Sequence, residues 1–284
     1  MKHIYDLFGK YLTKFSIVDL DKKFCSLLKE DSIVFDDKAK EMISDEISKQ
    51  IKNIINEYEY VFVKVNNKAG TDAAFLVTQL KCFTIEEIIT LIKGSQRIMD
   101  NFDYEKDKNN FLVLKEWYKI EHKNEFRCFI VNSELKGISQ RYIDAYENYD
   151  DKDIESIKNI IISFVSKDIK NALDEYKKDM KEDVNIILDV VYLPKKGKVK
   201  IIDIEQDIKE EKKNEEEEEK ENILKLYKDW DEIKKSKIIE LRYIKSENDP
   251  NIVQQEENKN QFPLELYETD IQTLIYKLNT KTDL

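Results

Sequence analysis

Apolar residues recur along this chain with two different periods, and the changes from one to the other mark out its elements. From Asp37 to Tyr58, the residues Ile43, Ile47, Ile51, Ile54, Ile55 and Tyr58 return every three or four positions. That spacing predicts one amphipathic helix leading straight into the strand YVFVKV. TIEE at 84 to 87 opens a short helix: Thr84 stands as N-cap with Glu87 three residues on, and Gly94 ends it. FLVLKEW (111 to 117), EFRCFIV (125 to 131) and LKGISQR (135 to 141) read as strands, with turn residues in NSELKG, and predict a meander. A second long helical face, from Asp151 to Met180, carries Ile154, Ile157, Ile161, Phe164, Val165, Ile169 and Leu173. The hairpin NIILDVVYLPKKGKVKIIDIE follows at 185 to 205. Mixed strands and helices in this order predict an α+β chain.

The remaining segments differ in composition. KEEKKNEEEEEKE, residues 209 to 221, has no apolar residue and predicts a solvated loop or exposed helical extension. ILKLYKDWDEI is apolar enough to rejoin the core, a polar stretch runs from Ser246 to Gln261, and FPLELYETDIQTLIYKL reads as a docked terminal helix. With 5 Gly and 3 Pro there are no flexible linkers to mark domain boundaries. The 284 residues suffice to bury a substantial core.

Charge and motifs then narrow the chemistry. A net charge of -11 disfavours nucleic acid or an acidic membrane surface as the main partner. The start, MKHIYDLFGKYLTKF, lacks a long apolar core and no run reaches the roughly 18 apolar residues of a membrane span, so a cytoplasmic protein is expected. Cys25, Cys82 and Cys128 are scattered among apolar neighbours and read as reduced core thiols. No phosphate-binding glycine loop, nucleophile elbow or zinc-binding HExxH occurs, and the two histidines, His3 and His122, read as surface residues. Hydrolase triads and zinc enzymes are poor fits.

The unusual feature is charge inside strands. Asp203 and Glu205 are two apart and share a face. A three-residue turn with Gly197 in the left-handed position would set Pro194 against Lys198 and Asp189 directly opposite Asp203, placing three acids together. Like charges across a sheet repel, so the arrangement asks for a cation, and magnesium suits an oxygen donor set; the competing reading is acids at an exposed sheet edge. Lys64, Lys115 and Arg127 interrupt other strands in the same way. Together they suggest a phosphate ligand carried with metal, or singly, basic side chains reaching to solvent from strand edges.

VFVKVN, LVLKEW, NEFRCFIVNSELKGISQRY and ILDVVYLPKKGKVKIIDIE, in this order, resemble the cell division cycle protein 123 family, with EFRCF and ISQR the most specific. The resemblance runs from about Tyr60 to Glu205 and continues more loosely at LYKDWDEI and FPLEL. It implies an ATP-grasp-like fold of two interleaved lobes with mixed or antiparallel sheets and flanking helices, binding ATP and Mg2+. It also implies a role in assembling eukaryotic translation initiation factor 2 through its gamma subunit, by a protein monomeric when alone.

By the same resemblance Lys64 is a phosphate-binding lysine, and Asn66, Ala69 and Gly70 belong to the loop over the phosphates. Lys115, Glu116 and Trp117 lie beside the adenine, Arg127 and Arg141 face the phosphates or the site wall, and Asp189, Asp203 and Glu205 bind the metal. The chain departs from the family pattern at Asn67 and Gly70, which replace a tryptophan and a proline, at Lys115 for arginine, and at Glu205 for asparagine. On these grounds residues 1–58 contain a partner-contacting region, 59–205 carry the nucleotide motifs, 209–221 are an acidic insertion, and 222–284 dock on the core of a single unit. Two other functions fit the same residues: a turnover enzyme activating a carboxylate or transferring phosphate to a protein, and a scaffold whose substitutions have removed nucleotide binding.

Overall fold

Two β-sheets form, each in its own compact unit. The computed structural model describes residues 2–30, 37–102, 110–144, 146–179, 185–207 and 224–252. Within these, residues 2–13 and 118–252 make a unit around a five-stranded sheet, and residues 14–117 make a second around a four-stranded sheet. The expected acidic insertion at 209–221 and terminal helix at 262–278 lie outside the described residues.

In the four-stranded unit the order is β1 (Phe15–Asp19), β4 (Phe111–Glu116), β2 (Val61–Val65) and β3 (Lys68–Ala69), all antiparallel. Alternation splits the sheet cleanly. Val18, Val61, Val63, Val65, Leu112 and Leu114 enter one core together with Phe24, Leu27 and Leu28 of α2 (Lys22–Lys29), Ile47, Ile51 and Ile55 of α4 (Asp45–Tyr58) and Ile88, Ile89 and Ile92 of α5 (Ile85–Gly94). The predicted helix from Asp37 to Tyr58 is two: α3 (Asp37–Glu41) stops, and Ser44, accepting from the Ile47 N–H, caps a new start. At α5 Thr84 caps as expected, but the Glu87 carboxylate accepts from the Phe83 N–H, one residue before the cap.

The five-stranded sheet has the order β8 (Lys198–Asp207), β7 (Asn185–Leu193), β5 (Glu125–Val131), β6 (Glu134–Gln140) and β9 (Glu240–Arg242), antiparallel except for the β6–β9 pair. The expected meander is therefore absent: FLVLKEW pairs with β1 and β2 in the other sheet, and only EFRCFIV and LKGISQR form a hairpin. Asn132 and Ser133 turn it with φ of 53° and 67°, the doubly left-handed geometry that matches strand twist. The long helix expected from Asp151 also breaks. α7 (Asp151–Ser163) gives way to a π-turn over Phe164–Asp168, and α8 (Lys170–Asp179) follows. The first residues belong to this unit: α1 (Lys2–Phe8) sets Phe8 edge-on to Tyr176, and Leu12 pairs in parallel with Ile201 at the β8 edge.

Over one face of the five-stranded sheet lies the segment 224–233, ending in α9 (Trp230–Lys235). Leu224, Tyr227, Trp230 and Ile233 pack on Phe129, Val131 and Ile187. Gly137 makes this possible, because a Cβ there would stand 2.7 Å from the buried Tyr227 ring and hydroxyl. Gly137→Ala is expected to lower stability by about 1–3 kcal/mol through overpacking. Gly197→Ala, with open space but a φ of 57°, should cost roughly 1 kcal/mol from backbone strain alone. Denaturant midpoints of the two variants check both.

Candidate functional site

The hairpin that carries the acids reaches the expected register by an unexpected route. Leu193 pairs with Lys198 across a four-residue loop, Pro194 to Gly197, with Gly197 left-handed. Taken alone, that loop would shift the pairing by one and move the acids out of line. Between Val190↔Ile201 and Asp189↔Asp203, however, β8 has one extra residue, Ile202, and the bulge restores the register. Asp189 lies directly opposite Asp203, and Asp203 and Glu205 share its face.

Cations come to this face from β5 and from the residue just after β6. Arg127 pairs with Asp189 across the sheet, and its Nε and Nη2 donate to Oδ1 and Oδ2 at 2.7 and 2.9 Å. Arg141 donates from Nε to the same Oδ2 at 2.9 Å and from Nη1 to the Glu125 carboxylate. It also donates to the Tyr142 hydroxyl at 3.1 Å, and Tyr142 stacks on His122 with ring centroids 3.9 Å apart. Asp189 is 2% exposed. Burial alone would raise its carboxyl pKa, but the two guanidiniums outweigh burial and hold it at about 2. Glu125 goes the other way, pushed up because burial outweighs its single arginine partner.

Asp203 and Glu205 complete the face. The Asp203 carboxylate accepts from the Ile204 N–H at 2.8 Å, and Asp203 bears electrostatically on Tyr5 of α1. Glu205 bears likewise on Arg127. Among the described residues no group of three or more His, Cys, Asp or Glu is gathered closely enough to hold a metal ion. The expected third acid, Asp189, accepts from arginine once at Oδ1 and twice at Oδ2, which takes three of the roughly four acceptor positions of a carboxylate. Asp203 and Glu205 are the carboxylate pair that fits magnesium, which is commonly held by one or two carboxylates with waters and phosphate oxygens completing the shell.

In the four-stranded unit Lys64 and Lys115 occupy the sheet face turned away from the helix-covered core. Lys64 pairs with Val113 and Lys115 with Phe62, so the two lysines share a face. They are 2% and 5% exposed, which rules out the reading of edge side chains reaching to solvent. Lys64 Nζ donates to Asn67 Oδ1 at 3.4 Å. Asn66 turns the chain at φ 55° and is buried, its Oδ1 accepting from the Phe111 N–H at 3.1 Å and its Nδ2 donating to Asn110 at 2.9 Å. Ala69 pairs opposite Lys64, and Gly70 packs against Leu91, Ser95 and Ile98 so closely that a Cβ would meet them at 3.2–3.3 Å.

At the end of β4 the Glu116 N–H donates to Lys14 O at 2.9 Å and the Trp117 N–H to Tyr60 O at 3.0 Å. Trp117 Nε1 donates to Gln79 O, and Lys81 lies over the Trp117 and Tyr60 rings at 4.8 and 3.6 Å.

Two participants have little or no sequence signature. Glu125 was within reach, since it stands two before Arg127 and so on its face. Lys225 had no signal; its charged neighbours are Arg127, Arg141, Asp189 and Asp144, and burial together with the two arginines lowers its pKa to about 8.

The class this defines is an α+β protein with two sheets, each presenting buried charge on one face. The pattern of the D123 family matches residues 36–270, most of the chain, and the protein belongs to that family. Similar curated proteins include the translation initiation factor eIF2 assembly protein of Vanderwaltozyma polyspora, 30% identical over 173 residues covering 56% of this chain and 44% of that one. The protein of the same name from Xenopus tropicalis is 31% identical over 172 residues, covering 56% and 48%. Cell division cycle protein 123 of Candida glabrata is 32% identical over 133 residues, 42% of this chain and 37% of its own. These alignments span less than half the length of the relatives. Among solved structures, Cdc123 from Schizosaccharomyces pombe has the same fold, with a TM-score of 0.61 at 24% identity over 86% of this chain and 94% of that one. A C-terminally truncated form gives 0.63 at 25% with the same coverage.

Asp189→Ala removes the carboxylate shared by the buried Arg127 and the half-buried Arg141, leaving Arg141 with Glu125, and is expected to cost about 3–5 kcal/mol in urea unfolding. Because the folded pKa of Asp189, about 2, lies below the unfolded value of roughly 3.9, its contribution is complete above that unfolded value and is lost as pH falls towards the folded one. Acid titration of the unfolding free energy of wild type and Asp189→Asn checks this: the variant should lack that part of the acid-dependent loss.

Proposed function

We propose that this protein is an assembly factor for eukaryotic translation initiation factor 2 that binds Mg-ATP on an ATP-grasp-like fold and contacts the gamma subunit of that factor. Membership of the D123 family carries the reading, and relatives named for eIF2 assembly support it. The side chains supply a physical reason for nucleotide. Lys64 and Lys115 are held almost entirely out of water, and Asp203 stands directly opposite the Asp189 carboxylate with Glu205 on the same face. Such groups suit a multivalent ligand that brings both phosphate and metal. In this reading Asp203 and Glu205 hold the ion and Asp189 fixes Arg127 and Arg141 towards the phosphates. Lys64 and the segment Lys115 to Trp117 keep the phosphate and adenine roles that the family resemblance implies for them. Bound magnesium would supply charge neutralisation for the phosphate chain. Among the described residues no helix is long and apolar enough to cross a membrane.

Calorimetric titration with ATP is expected to show binding that depends on magnesium. Asp203→Ala should remove the magnesium dependence, and Lys64→Ala should weaken binding at least about tenfold, as expected for losing a charge-assisted hydrogen bond. Binding unaffected by either substitution would place nucleotide elsewhere. The gamma subunit should co-purify with the protein, and its persistent absence from pull-downs would overturn the partner assignment.

A further inference from the structure

Arg141 is gripped along one edge of its guanidinium. Its backbone N–H donates to Glu125 O at 3.1 Å, so the residue continues the β5–β6 ladder one step past the pair Phe126↔Gln140 and shares the face of Glu125 and Arg127. Its Nε donates to Asp189 Oδ2 at 2.9 Å, and its Nη1 donates both to the Glu125 carboxylate and, at 3.1 Å, to the Tyr142 hydroxyl. These bonds use three of the five N–H groups of a guanidinium. Among the described residues nothing accepts from Nη2, and the Arg141 side chain is 24% exposed where that of Glu125 is 6% exposed. One edge of the fork is therefore fixed and the other is open.

We propose that Glu125 is a positioning residue of the anion site: it holds the Arg141 fork so that Nη2 donates to the phosphate chain, and it does not itself touch the ligand. The proposal rests on the reading of this face as a Mg-ATP site. Asp189 alone does not fix the open edge. It bonds Arg141 only at Nε, through an oxygen that also accepts from Arg127 Nη2 at 2.9 Å, and one hydrogen bond leaves a planar group able to turn about it. Glu125 adds a second point on the same group, at Nη1, and two points set the plane. By its charge alone a carboxylate here would weaken the binding of a polyanion, whereas by ordering the fork before the ligand arrives it strengthens it. The two effects have opposite signs, and substitution separates them.

The test is calorimetric titration of the full chain with Mg-ATP and, separately, with magnesium tripolyphosphate, with melting temperatures measured alongside. Glu125→Asp keeps the charge but falls one methylene short of Nη1, and is expected to weaken both probes about tenfold. Glu125→Gln keeps the reach and an acceptor oxygen without the charge, and should bind both at least as tightly as wild type. Glu125→Ala, a second variant that removes charge and acceptor together, should weaken both although a negative charge has gone. In the Arg141→Lys background, where there is no fork to hold, Glu125→Asp should change neither affinity by more than about twofold. Wild-type affinity in Glu125→Asp, or tighter binding in Glu125→Ala, overturns the assignment and leaves the nucleotide reading standing. A loss shared by Glu125→Gln, with a lowered melting temperature, marks a structural role and overturns it too. So does a loss confined to ATP, which would make Glu125 a contact of the nucleoside, or a loss that persists beside Arg141→Lys. Wild type that binds tripolyphosphate but not ATP, with Glu125→Asp weakening it, keeps the assignment and sinks the nucleotide reading. If folded wild type binds neither probe, both fall.

Discussion

A buried carboxylate held between two guanidiniums is the constraint on which the five-stranded sheet depends. Asp189 is in the middle of a strand, flanked on both sides by apolar residues from Ile186 to Val191, and an ionised carboxylate there is tolerable only if its oxygens are filled. Arg127 fills both from the neighbouring strand, and Arg141 fills one again from just past the other strand of the same hairpin while also reaching Glu125. The network thereby ties three consecutive strands through side chains as well as backbone. Removing its centre would leave two cations inside the sheet, an outcome costlier than never having buried the group. The same rigidity suits a binding face, because the arginines are oriented before any ligand arrives.

Register is the second condition. One loop residue more than a three-residue turn and one bulge residue at Ile202 cancel, so Asp189 still meets Asp203. The bulge also lies where Leu12 and Thr13 join the β8 edge through Ile201, which brings the first residues of the chain onto the strand that carries Asp203 and Glu205. Tyr5, on the helix just before, bears on Asp203. The local sequence around the acids and the remote N-terminal segment therefore act on one strand.

Much of this was legible in the chain. The strands EFRCFIV and FLVLKE, the α5 cap at Thr84 and the shared face of Asp203 and Glu205 follow from alternation and capping chemistry, which are local. Elements went wrong where a nonlocal choice intervened. The helix over 37–58 contains its own competing cap at Ser44, and the periodicity of Ile43 and Ile47 runs unbroken across it. Strand β4 looks like the first strand of a meander because its apolar run is near in sequence to β5, yet it pairs with β1 and β2.

Composition and periodicity by themselves determined whether most segments are helix or strand, the α+β class and the presence of charge inside strands, because each depends on residues within a few positions of one another. Tertiary structure alone decided what those charges meet. Arginines 62 and 48 residues away occupy Asp189, and the distance in sequence carries no trace of the pairing. Lys225 shows the limit most plainly: in the chain it is one lysine among many near an acidic run, and only the packing of Leu224 and Tyr227 on the sheet brings it to the acids. Side-chain period is a property of the backbone, whereas the partner of a buried charge is chosen by whichever strand folds beside it.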